Sequence, residues 1–212
     1  MIEFKDISEA VIKADAPKVR ELTEKKLAEG INPVEILNEG LLVGMAVIGK
    51  RFKALEIYVP EVLVSARAMR AGVEVLGPAL KTQGSEPQGK VLVGTVKGDI
   101  HDIGKNLVTM MLEGAGFNVI DLGINITYEG FLDAVREHKP DIVGMSSLLT
   151  TTMRELKVNI DAFKEAGLRD SVKIMVGGAP VSEKYAMEAG ADAYGADAME
   201  AVEKAKEFLG KA

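Results

Sequence analysis

From Lys90 onward the chain alternates short apolar runs with amphipathic ones, and no other feature constrains the fold as tightly. Candidate strands are 90–96, 117–122, 141–146, 172–177 and a short 192–195. Candidate helices lie near 104–115, 128–138, 152–166, 182–189 and 197–209. Runs such as Val91-Leu92-Val93 and Ile174-Met175-Val176 do not alternate apolar with polar, so each strand expects cover on both faces. Such strands, separated by helices, close into a doubly wound parallel sheet. The expectation for 90–212 is therefore a five-stranded α/β domain of the Rossmann or flavodoxin type. Ligands of such sheets bind at the carboxyl ends of the strands. Here those ends lead into loops 97–103, 123–127, 146–151, 177–181 and 195–197.

Residues 1 to 81 show helical periodicity and no strand. A first helix covers about Lys5 to Ala14. A second starts at Asp15 and Pro17 and stops at Gly30. Asn32-Pro33-Val34-Glu35 opens a third, with Asn32 as cap and Glu35 placed to reach back. Its apolar residues Ile36, Leu37, Leu41, Met45 and Ile48 share a helical face. Pro60 opens a fourth, carrying Val62, Leu63, Ala66, Met69 and Val73. Gly40 and Gly44 point to close helix contact. Four helices with short connections make an antiparallel four-helix bundle. Between the halves, Thr82 to Gly89 holds no apolar residue and reads as a linker.

At 212 residues the chain makes one or two domains and is long enough for a proper core. Its net charge of −6 speaks against nucleic acid as a partner. Its longest apolar helical stretch, 40–49, is too short to span a membrane. The opening Met-Ile-Glu-Phe-Lys-Asp lacks the pattern of a signal peptide, and there is no cysteine, so a cytoplasmic protein is expected. Without cysteine there is no thiol nucleophile, and two histidines cannot make a Cys/His zinc site.

The chemistry concentrates in Asp99-Ile100-His101-Asp102-Ile103-Gly104, directly after the first strand. A histidine at a strand end, beside a carboxylate that can hold its second nitrogen, is built like a metal ligand and its support. Asp102 can equally serve as a helix cap. His138, in Glu137-His138-Lys139-Pro140, sits at a helix end, where it favours the dipole. Other ligands of this fold are poorly served. Gly94, Gly98 and Gly104 lack the dinucleotide spacing, the third strand ends Met145-Ser146 rather than in aspartate, and the first loop is not hydroxyl-rich.

Asp99-x-His101-x-x-Gly104, followed by Ser146-x-Leu148 and Gly177-Gly178, resembles the cobalamin-binding pattern of methionine synthase and its relatives. Gly44-Met45, Gly49, Phe52 and Val59-Pro60-Glu61-Val62 resemble the helical cap of the same proteins. Length and domain order are most similar to the small corrinoid proteins of methanogens and acetogens. The resemblance covers nearly the whole chain.

It implies cobalamin or a related corrinoid, such as methylcobalamin or hydroxocobalamin, with the cofactor's own base displaced. His101 would be the lower axial ligand to cobalt, and Asp99 would accept from its other nitrogen. Thr152 stands where methionine synthase has a relay serine. Ser146, Leu148, Gly177 and Gly178 would line the slot for the nucleotide tail. Asp102, Ile103, Gly104 and Thr150 would also bind the cofactor. Phe52, Val59 and Val62 would cover its upper face, although bundle packing accounts for them as well.

The implied function is that of a methyl carrier. Co(I) accepts a methyl group from a substrate-specific methyltransferase working on a methylamine, methanol or a methoxylated aromatic. Methyl-Co(III) then passes it to a second methyltransferase acting on tetrahydrofolate or a thiol, with a reductive activator in support. The chain has no barrel-sized domain for a methyl donor and so is not a complete enzyme alone. Two alternatives remain, a cobalamin-dependent sensor and the cofactor subunit of an adenosylcobalamin mutase. The absence of tryptophan argues against the first, and the helical cap against the second.

Overall fold

The structure, a computed structural model, describes residues 4–82 and 87–210. The chain divides into two compact units, one helical and one α/β. Half of the expected linker, 83–86, lies outside the described residues.

In the helical unit, α1 (Lys5–Ile12) and α2 (Ala16–Ala28) are followed by one long helical run. That run consists of α3 (Pro33–Glu35), a π-helical stretch Ile36–Leu42 and α4 (Val43–Lys53). The last helix is α5 (Val59–Thr82), which opens one residue before Pro60 and continues through Pro78. Asp15 caps α2 by accepting from the Lys18 amide at 3.0 Å, and Asn32 caps α3 by accepting from Val34 at 2.9 Å. The return bond expected of Glu35 is absent among the described residues.

Close helix contact is real at the glycines. A Cβ on Gly44 would lie 2.8 Å from the Ser8 carbonyl oxygen and from Val11 Cβ, so α1 rests on the α4 backbone itself. On α5, Val62, Ala66, Met69 and Leu76 follow helical spacing and are buried.

The α/β unit runs β1 (Lys90–Thr95), α6 (Ile103–Gly114), β2 (Asn118–Asp121), α7 (Tyr128–His138), β3 (Ile142–Ser146), α8 (Met153–Glu165), β4 (Lys173–Gly177), α9 (Glu183–Ala189), β5 (Ala193–Gly195) and α10 (Ala198–Phe208). All strand pairs are parallel, in the order β2-β1-β3-β4-β5. This is the flavodoxin-like order, whose strand direction of travel reverses between β1 and β3. The crevice at that switch point is where the loops after β1 and β3 meet.

The two sheet faces are packed differently. One core joins Leu92, Val143 and Ile174 of the sheet to Phe131 and Val135 of α7, Leu156, Ile160 and Phe163 of α8, and Ala186 of α9. The other joins small residues, Ala193 and Ala201, to Met175, with Val108 and Phe208 against them. Register brings Thr95, Ser146, Gly177 and Gly195 into one row across the carboxyl edge. Two hydroxyls and two glycines there leave little side-chain bulk at the end of the sheet.

Candidate functional site

The loop after β1 is held by its own backbone before any side chain acts. Gly98 takes a φ of +80°, a conformation glycine adopts without strain. Its amide donates to Asn125 Oδ1 at 2.7 Å, and the Asn125 amide donates to the Asp99 carbonyl at 3.0 Å. Thr95 Oγ1 donates to the His101 carbonyl at 3.0 Å. The His101 backbone is thereby fixed from both sides.

Asp99 is completely buried, while the His101 side chain is 46% exposed. Asp99 Oδ1 accepts from the His101 amide at 3.0 Å and faces His101 Nδ1 at 2.7 Å. Asp99 Oδ2 accepts from the Leu148 amide at 2.7 Å, the Leu149 amide at 3.3 Å and Thr152 Oγ1 at 2.9 Å. Burial alone would push this carboxyl up. The amides of His101 and Leu148, the imidazole and the Thr152 hydroxyl outweigh it and hold the carboxyl well below the usual carboxylate range. Asp99 is therefore an ionised acceptor, and Nδ1 must carry the proton between them. In the neutral ring that leaves the Nε2 lone pair free to act as a ligand.

Around this imidazole the loops display apolar side chains. Ile100 and Ile103 are more than two-thirds exposed, and Ile124, Leu148 and Leu149 are also exposed. Large apolar residues grouped around a half-exposed histidine mark a binding face. A Cβ on Gly104 would meet nothing within 4 Å, so no packing within the protein requires glycine there. Space over Gly104 suits a broad flat ligand lying on the start of α6. Among the described residues, no three His, Asp or Glu side chains converge to hold a bare ion. A single imidazole suits a metal that arrives in its own macrocycle.

The remaining sequence candidates fall into three groups. Ser146 is half-buried in the edge row, and its carbonyl accepts from the Val96 amide at 3.0 Å. Gly177 and Gly178 have a reason within the protein. A Cβ on Gly177 would lie 2.8 Å from the Gly195 carbonyl oxygen, and one on Gly178, at φ +131°, would lie 1.8 Å from that of Ser147. Close approach of the chain to itself already demands both glycines, whether or not a ligand tail passes them. Asp102 lies just before α6, where its Oδ2 accepts from the Asn106 side-chain amide at 3.1 Å. Thr150 stands exposed on the turn before α8. In the helical unit, Phe52 lies in the last turn of α4 and Val59 starts α5, both half-buried, while Val62 is fully buried. The turn between those helices displays Leu55 and Tyr58, both strongly exposed.

Two residues escaped the sequence argument. Ser147, buried, places its Oγ 2.8 Å from Thr152 Oγ1. Lys105, buried at the start of α6, bonds Asn106 Oδ1 at 2.7 Å and forms an ion pair with Asp121 at the end of β2. An aspartate closing an apolar strand was the available signal for the second. Nothing local distinguishes Ser147 from Ser146, since which one turns inward depends on the course of the turn.

Residues 89–203 match the B12 binding domain family, and residues 3–76 match a second B12 binding domain family. A corrinoid protein of Desulfitobacterium hafniense (strain Y51) is 44% identical over 97% of both chains. The trimethylamine corrinoid protein of Methanosarcina barkeri is 43% identical, over 95% of this chain and 94% of its own. A chain of the methanol:cobalamin methyltransferase complex MtaBC from Methanosarcina barkeri superposes with a TM-score of 0.89. It shares 30% identity, over 99% of this chain and 80% of its own.

Proposed function

Because the chain belongs to the B12-binding corrinoid proteins, we propose that it is a methyl carrier whose corrinoid is held by His101. The observation that carries this reading is the pairing of buried, ionised Asp99 with His101 Nδ1, which leaves Nε2 free beside loops that display apolar side chains. The residues present fit the group. A single imidazole ligand, exposed isoleucines and leucines, and the open space over Gly104 suit a macrocycle.

Bound there, the corrinoid supplies a cobalt that takes a methyl group from one substrate and gives it to another. His101 would hold the cobalt through Nε2. Asp99 keeps Nδ1 protonated and orients the ring. Asp99 would remain the acceptor from Nδ1 whether or not Nε2 holds the group, without itself taking the proton. The five donors on Asp99 keep it a carboxylate throughout. Ser146, Leu148, Gly177 and Gly178 border the tail slot in this reading, and Asp102, Ile103, Gly104 and Thr150 also bind the cofactor. Phe52, Val59 and Val62 belong to the cap.

The carrier works with a methyltransferase partner. Relatives named for trimethylamine, dimethylamine and methanol support a one-carbon amine or alcohol as donor. A second methyltransferase using tetrahydrofolate or a thiol completes the transfer, and a reductive activator restores the cofactor. Among the described residues no helix is long and apolar enough to cross a membrane. The cysteine-free sequence fits a cytoplasmic setting.

The test is reconstitution with hydroxocobalamin, reduction, and exposure to methylamines or methanol with a substrate methyltransferase from the same genome. The absorption spectrum should change to that of the methylated cofactor and revert when an acceptor enzyme and its thiol or folate are added. A loaded protein that no such donor methylates would contradict the carrier role.

A further inference from the structure

The hydroxyl of Thr152 has one proton and three acceptors in reach, Ser147 Oγ at 2.8 Å, Asp99 Oδ2 at 2.9 Å and the Leu149 carbonyl at 3.0 Å. The choice decides whether Asp99 keeps its hydroxyl donor. Ser147 Oγ lies 2.8 Å from Thr152 Oγ1. The other acceptor near Ser147 Oγ is the same Leu149 carbonyl, at 3.4 Å. The ionised carboxylate is the strongest acceptor near Thr152, so the Thr152 proton goes to Asp99 and the 2.8 Å contact is made by the Ser147 proton, with Ser147 donating to Thr152. A hydroxyl that accepts a hydrogen bond becomes a better donor.

We propose that Ser147 is a positioning residue that sets the direction of the chain Ser147 → Thr152 → Asp99 and so tunes how strongly Asp99 binds His101 Nδ1. Ser147 is placed for this by the backbone. Its amide donates to the Gly177 carbonyl at 3.1 Å, and Gly178 has no side chain to displace its own carbonyl. Both hydroxyls are buried, so water does not easily substitute for either. The assignment rests on the carrier reading only for its purpose, which is the donor strength of His101 toward a metal. The hydrogen-bond chain is a property of the protein alone.

Removing the Ser147 hydroxyl takes away the hydrogen bond that Thr152 accepts and leaves Thr152 a weaker donor to Asp99. Asp99 then concentrates its charge on the imidazole, and the Asp99–His101 bond strengthens. The experiment is proton NMR of the His101 Nδ1–H resonance in the cofactor-free full-length protein, for wild type, Ser147→Ala, Thr152→Val and the double variant. Ser147→Ala should move the resonance downfield. In the Thr152→Val background the same substitution should move nothing, because its effect passes through Thr152. Ser147→Cys, of similar volume and weaker as a donor, should give a smaller shift in the same direction, and serves if the alanine variant does not fold. An unmoved resonance, or an equal shift with and without Thr152, would overturn the assignment. Failure to bind hydroxocobalamin would sink the carrier reading instead, and leaves this measurement intact.

Discussion

Asp99 is where the chemistry of the loop is decided. A buried carboxylate is costly unless donors surround it, and the donors here come from two loops and a helix start. Its charge therefore also stabilises the fold. Because its pKa is depressed, that stabilisation is present above the usual carboxylate pKa of about 4 and starts to decline as pH falls below it. Urea unfolding of the cofactor-free protein checks this at neutral pH and near pH 3. Asp99→Asn should be clearly less stable than wild type at neutral pH, and the gap should narrow in acid, because the contribution starts to fall below the unfolded pKa and is lost only as pH passes the depressed native one. A gap that stays constant with pH would mean that Asp99 contributes through geometry alone.

Between elements, the turn after β3 links the sheet edge to the histidine. Gly178 presses on the carbonyl of Ser147, the next two amides donate to Asp99, and Thr152 completes the shell. Gly178→Ala adds a Cβ that cannot fit, at a φ that suits glycine. It should cost on the order of 1–3 kcal/mol of stability and weaken corrinoid binding together. Chemical denaturation and cofactor titration on one preparation check it; full stability with full affinity would contradict the clamp.

This is also the scale at which the sequence ran out. Strand and helix positions were readable because apolar period and capping residues are local; the expected 141–146 strand is Ile142–Ser146 in the structure. The π-helical stretch at Ile36–Leu42 left no such trace, since its apolar residues still share a helical face. Asp99 and His101 are neighbours in sequence, so their pairing was open to view. Ser147 and the Lys105–Asp121 pair depend on which loops the sheet order brings together, and no spacing encodes that.

For the molecule as a whole, the account divides labour between the two units. The α/β unit carries every residue assigned to the lower ligand and the tail slot, so we predict that it suffices for binding. Limited proteolysis should cut within 82–89 first, and the fragment from about Lys90 should still take up hydroxocobalamin. An early cut inside 97–103 instead would count against that boundary.

The central claim is that His101 Nε2 is the ligand. Electron paramagnetic resonance of the reconstituted Co(II) form tests it most directly. The account predicts superhyperfine coupling from one protein nitrogen, which takes the isotope pattern of labelled histidine and disappears in His101→Ala. An unchanged spectrum in the His101→Ala protein would contradict it.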